Sequence, residues 1–150
     1  MSVEAKAEPL PARLRNSKTI QNSWVVTDIE AAMRDWVCAT DVGPFFVVKG
    51  VTLGGQSYRD TPAAKSTDVT FALAQAGDTH IELVCQHNEV KSADRDLVPA
   101  GRSGFHHTAL GSHYYDANLA DYMRTGFEVA FSGAVDGKQF CFVDMNPSIG

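Results

Sequence analysis

Gly104-Phe105-His106-His107-Thr108-Ala109-Leu110-Gly111-Ser112-His113-Tyr114-Tyr115-Asp116-Ala117-Asn118-Leu119-Ala120-Asp121-Tyr122-Met123-Arg124 reads as a strand and then a helix. Phe105 to Leu110 suits a pleated, half-buried surface, and Tyr115, Leu119, Tyr122 and Met123 recur at spacings of three and four, which predicts an amphipathic helix over 115–124. The same order stands earlier in the chain. Thr19 to Val26 reads as a strand, Thr27 or Asp28 caps a helix, and Ile29, Ala32, Met33, Trp36 and Val37 form that helix's inward stripe. Gln21 to Trp36 spans 15 positions and so does His107 to Tyr122, each pair joining a strand start to a helix aromatic. The chain is therefore read as an internal duplication.

Working outward, the first helix ends over Asp41 to Pro44 and a strand begins at Phe45 and runs to Val51. Leu53 to Asp68, with Gly54-Gly55 and Pro62, reads as an exposed loop or a hairpin around glycine, long enough to act as a lid. Asp68 to Ala76 and Thr79 to Cys85 are two strands joined by the tight turn Gly77-Asp78, where glycine and aspartate tolerate positive φ. After a polar loop from Gln86 to Arg102, the second copy repeats the order and continues with strands Phe127 to Phe131 and Gln139 to Asp144. The predicted class is α+β. Two tandem β-α-β-β-β modules, 18–87 and 103–150, form one concave, barrel-like mixed sheet within a single domain, 18–150, preceded by a flexible arm over 1–17 with no sustained apolar period. By the repeat, the counterpart of Glu82 falls near position 152, so the second module is expected to lack its last strand.

The composition excludes several classes of function. At 150 residues, 44% hydrophobic and 21% charged, the chain suits one domain with a core. A net charge of -5 lacks the basic stripe that neutralises phosphates, so no nucleic-acid partner is expected. No apolar run approaches the roughly 20 residues of a membrane helix, and the N-terminus lacks a signal-peptide core, so no membrane partner and a cytoplasmic location are expected. Cys38, Cys85 and Cys141 are odd in number, widely spaced and set in apolar runs, which predicts buried reduced thiols rather than a disulfide framework or zinc knuckle.

Three polar residues fall at repeat-related strand positions. Gln21 and His107 are equivalent starts of the two first strands, and Glu82 sits on the last strand of module one among Ile81, Leu83 and Val84. An imidazole, a carboxylate and an amide oxygen make a mixed nitrogen and oxygen set suited to zinc, nickel, cobalt, manganese or iron(II). His106 is expected on the face opposite His107, and His80 as an exposed neighbour rather than a ligand. His87 and His113 read as solvated. Trp24, Trp36, Phe45 and Phe46 read as core or cavity wall. Lys91 to Arg102 reads as a solvated run, with Arg95 or Arg102 available to meet an anionic substrate at the cleft mouth.

Val25-Val26-Thr27-Asp28, Trp36, Gly43-Pro44-Phe45-Phe46, Ile81-Glu82-Leu83, Gly104-Phe105-His106-His107 and Phe142-Val143-Asp144, in this order, resemble the vicinal oxygen chelate superfamily of glyoxalases, bleomycin resistance proteins and extradiol dioxygenases. The likeness is nearest its glyoxalase-like branch, beside methylmalonyl-CoA epimerase. It implies Gln21, Glu82 and His107 as ligands of a divalent metal, Glu82 also as proton-transfer base, a small-molecule substrate and a homodimer. The implied activity is a metal-dependent isomerase or lyase that stabilises an enolate or enediolate. The alternative is a binding or sequestration protein using the same cleft without metal. An extradiol dioxygenase fits less well, because iron(II) oxygenases use two histidines and one carboxylate.

Overall fold

The computed structural model describes residues 17–51, 54–62 and 65–149. The arm read over 1–17 lies, apart from Ser17, outside them. The first module opens with strand β1 (Thr19–Val25) and helix α1 (Ile29–Thr40), then strand β2 (Phe46–Lys49), the hairpin β3 (Gly54–Tyr58) and β4 (Thr61–Pro62), and the hairpin β5 (Val69–Ala76) and β6 (Thr79–Gln86). A short helix α2 (Ala93–Leu97) connects to the second module: β7 (Gly104–Leu110), α3 (Tyr115–Arg124), β8 (Glu128–Val135) and β9 (Lys138–Asp144). Beyond it lies a final turn of helix, α4 (Asn146–Ile149). The class is α+β with a curved, unclosed sheet system, the arrangement expected from the sequence.

Local chemistry sets the boundaries of α1. The Asp28 carboxylate accepts from the Ala31 amide at 2.9 Å, and Asp41 closes the helix at φ 60. Ile29, Ala32, Met33 and Trp36 pack on the outer face of the sheet over buried Ala72, Ile81 and Leu83. Two expectations for this helix are corrected. Val37 and Cys38 are exposed, because they come after Trp36 around the helix, on its solvent side. Met123 on α3 and Phe46 on β2 are exposed too, the latter because all four residues of β2 lie on a sheet edge. The stretch read as a lid or a glycine hairpin is a hairpin, but it turns at Arg59 and Asp60, both at positive φ, rather than at Gly54-Gly55.

β1 is the hinge between the modules. It pairs in parallel with β6 and antiparallel with β7, giving a five-stranded sheet in the order β2-β5-β6-β1-β7. The second sheet runs β4-β3-β8-β9, so the β3–β4 hairpin of module one is donated to the strands of module two. Among the described residues β7 pairs only with β1 and β9 only with β8. The second sheet is tied to α2 by Arg59, whose guanidinium reaches Asp96 of that helix at 2.9 Å, Asp144 of β9 at 3.1 Å and Glu128 of β8 at 3.4 Å. Tyr58 donates to Asp96 at 2.8 Å beside it. Phe131, Phe140 and Phe142 meet Ala93 and Ala130 in a second, smaller core beneath this clasp.

The run from Lys91 to Arg102 is corrected from a solvated loop. Ser92, Ala93 and Val98 are buried, Ser92 caps α2 by accepting from the Arg95 amide, and Arg95 donates to the Gln86 carbonyl at 3.1 Å. The charged residues of the run conceal a docked turn of helix, because only its small apolar face is inserted.

Candidate active site

The site is a row of three side chains across three strands. Ser23 on β1 has Glu82 as its partner across the parallel pairing with β6 and His107 across the antiparallel pairing with β7. Alternation puts all three on the concave face, opposite the face packed under α1. Glu82 Oε2 and His107 Nε2 face one another at 3.6 Å. Ser23 is 0% exposed, and its hydroxyl makes no hydrogen bond although it lies near enough to Glu82 to offset part of the carboxyl's pKa rise.

His106 is corrected. Strict alternation predicts that it faces away from His107, yet it is 8% exposed and its Nδ1 lies 2.8 Å from His107 Nδ1. The cause is a β-bulge: Ser23 pairs with His107 and Trp24 with Phe105, so His106 is an extra residue that breaks the alternation. Its Nε2 lies 3.0 Å from the Ala93 carbonyl, and Asp94 Oδ1 lies 3.6 Å from its Nδ1.

These contacts limit where the hydrogens sit. The Ala93 carbonyl can only accept, so His106 Nε2–H donates to it. Of the two Nδ1 atoms, 2.8 Å apart, one carries the shared hydrogen; the tautomer a ligand needs has His107 Nδ1–H donating to His106 Nδ1. That leaves His107 Nε2 as a bare lone pair aimed at Glu82. A ligating histidine needs this arrangement, with one nitrogen tied to a neighbour and the other free.

Burial sets the charges. It pushes the Glu82 carboxyl up from 4.5 to about 7, with a smaller contribution from Asp94 in the same direction. Burial, helped by His106, pulls His107 down from 6.5 to about 3. Asp94 is raised by burial against the pull of His106 and Arg95. At neutral pH the row therefore holds an uncharged imidazole beside a carboxyl near its midpoint. This is the state suited to moving a proton or accepting a cation.

Glu82 and His107 are spaced as two donors to one divalent cation would be. Two donors each 2.0–2.2 Å from one ion lie about 3.4 Å apart at a tetrahedral angle, close to the observed 3.6 Å. No group of three or more His, Cys, Asp or Glu gathers among the described residues, so a third donor from the protein would be the Gln21 amide. Gln21 is on the same cavity wall, but its strand partners are His80 and Ala109 rather than the Glu82–His107 row. His80 is exposed, in line with its reading as a neighbour.

The row opens into a cavity of about 1020 Å³ lined from both sheets and α3. Phe142 of β9 lies over it, its ring 4.6 Å from that of His107 and 5.4 Å from that of His106. Three neighbours of the pair, Ser23, His106 and Asp94, are not marked as site residues by the sequence. The register that puts Ser23 in the row, and the bulge that turns His106 inward, depend on strand pairing. Asp94 has a local signal, since Ser92 with acidic residues after it is a helix start.

A family model described as Glyoxalase/Bleomycin resistance protein/Dioxygenase superfamily matches residues 21–142. Among solved structures, a hypothetical protein from Bacillus halodurans C-125 is similar at 19% identity over 87% of this chain and 86% of that one. Its TM-score is 0.61, a likeness of fold. No curated protein matches the sequence.

Proposed function

The chain belongs to the glyoxalase/bleomycin resistance protein/dioxygenase superfamily, and from that premise we propose that it is a metal-dependent isomerase or lyase of the glyoxalase-like type. The observation that carries the reading is the facing pair of Glu82 and His107, 3.6 Å apart and each with a free acceptor. Gln21, Glu82 and His107 would hold a divalent cation, which when bound supplies Lewis acidity toward a carbonyl oxygen.

The chain's own residues do the rest. Glu82 takes the proton from the carbon beside the carbonyl as that C–H bond breaks and its electron pair moves into an enolate, then returns the proton to carbon. In the metal-free chain burial raises that carboxyl to about 7, within the range where a base works at neutral pH. His107 Nε2, 3.6 Å from that carboxyl, is the nitrogen that would meet the cation. His106 holds the His107 ring in the required tautomer. Phe142, stacked against His107, keeps water off the pair.

Hydrogen–deuterium exchange tests this. Metal-replete protein in heavy water is expected to speed exchange at the carbon beside the carbonyl in at least one of phenylglyoxal–glutathione hemithioacetal, an acyl thioester and 2-acetonaphthone, and Glu82→Gln is expected to remove that rate. If wild type and variant exchange all three equally slowly, the enzymatic reading fails. The large cavity favours the second reading, a binding or sequestration protein, and ligand binding that persists unchanged under chelation would then support it.

We also read the protein as a cytoplasmic homodimer acting on a small molecule. No helix among the described residues is long and apolar enough to cross a membrane. The open edge of β2, with Phe46 70% exposed, supports pairing between copies. Phe46→Lys is expected to shift sedimentation from two chains to one. A monomeric wild type would remove the dimer.

A further inference from the structure

We infer that the ligand of this site is an uncharged, largely hydrocarbon molecule carrying an aromatic ring and one carbonyl or hydroxyl oxygen, an inference that rests on the proposed use of the Glu82–His107 pair. Size comes first. A cavity of about 1020 Å³ stands at the upper end of small-molecule sites.

Charge then narrows the class. Among the described residues, and apart from His107, the ionic side chains on the wall are two acids, Glu82 and Asp94, and one base, Lys138, which is exposed. A glutathione or coenzyme A moiety brings several anionic groups, for which the described wall offers one cationic side chain, the exposed Lys138. Arg59 is engaged by Asp96, Glu128 and Asp144, and Arg95 is anchored by donating to the Gln86 carbonyl. Neither Arg95 nor Arg102 lines the cavity, so the sequence expectation that one of them meets an anion is not supported by their placement.

Shape supplies the rest. Phe71, Leu73, Leu119, Tyr122 and Phe140 make most of the wall apolar. From His107 the rings continue through Phe142 to Phe131 and Phe140, with centroids 5.8 to 5.9 Å apart. That row offers an aromatic face leading away from the polar row. Glu82 and His107 give one compact polar end, enough for a single oxygen.

The test uses isothermal titration of the full chain with 2-acetonaphthone, S-hexylglutathione and coenzyme A, each with and without chelator. The neutral ketone is expected to bind at least roughly tenfold more tightly than either anion, since among the described wall residues only the exposed Lys138 could offset an anion's desolvation. Leu119→Lys, which puts a cation on the wall, is expected to narrow or reverse that ratio, and Leu119→Met to keep it. Equal or tighter binding of either anionic ligand by the wild type, or no binding of the ketone, overturns the inference. Ketone binding without isotope exchange would sink the enzymatic reading and leave the ligand class standing. Exchange supported only by a glutathione adduct would do the reverse.

Discussion

Glu82→Gln is expected to yield a protein that loses proton transfer by roughly a hundredfold or more and yet, stripped of metal, is more stable than the wild type above neutral pH. The two effects have one cause. In the fold, burial keeps a proton on Glu82 up to about 7, whereas the unfolded chain releases it near 4.5. Between those values the folded state binds the extra proton, so the stability that Glu82 contributes is complete below 4.5 and lost as pH rises through 7. His107 works in the other direction. Its folded value near 3 against 6.5 unfolded gives stability that is complete above 6.5 and lost as pH falls toward 3. From 4.5 to 6.5 the two slopes oppose, and wild-type stability should be nearly flat there. Glutamine removes the alkaline loss and can donate its amide hydrogen to the bare His107 Nε2. Urea melts in chelator should show the variant equal to the wild type at pH 4 and about 2 to 3 kcal/mol more stable at pH 8. Equal stability at pH 8 would mean that Glu82 is not held protonated by the fold, and its role as a base tuned to neutral pH would go with it.

Each feature is legible in the sequence to the degree that it is local. The strand-to-helix starts at Thr19 and Gly104 can be read because a periodic stripe and a capping aspartate depend only on neighbours, and Asp28 caps α1 as expected. The placement of Glu82 on β6 and His107 on β7 can be read for the same reason. That the two strands flank β1, with Ser23 in line, is a matter of pairing between segments far apart in sequence. His106 shows the limit most clearly. Strict alternation turns it outward, and one bulged residue turns it inward. Phe46 and Cys38 depart from expectation for a different reason: an apolar run says a residue fits a core, but sheet order and helix rotation decide whether one is there.

Leu83→Ala is expected to cost about 3 to 4 kcal/mol and to lower the melting midpoint by roughly 10 °C for a chain of this size. Leu83 is 0% exposed and lies on β6 directly after Glu82, but on the other face. It packs with Ala72 and Ile81 beneath Trp24, Met33 and Trp36. Truncation leaves a void that the sheet cannot close, because β6 is hydrogen-bonded to β5 on one side and β1 on the other. Met123→Ala, at an exposed position of α3, is the control and should stay within about 0.5 kcal/mol. A loss under about 1 kcal/mol for Leu83→Ala would show that the outer layer is loosely packed and that α1 is not what fixes β6. If the expected loss is found while 2-acetonaphthone still binds at 15 °C, the two faces of β6 divide the work. Leu83 holds the strand against α1, and that anchorage lets Glu82 stay buried at a fixed distance from His107.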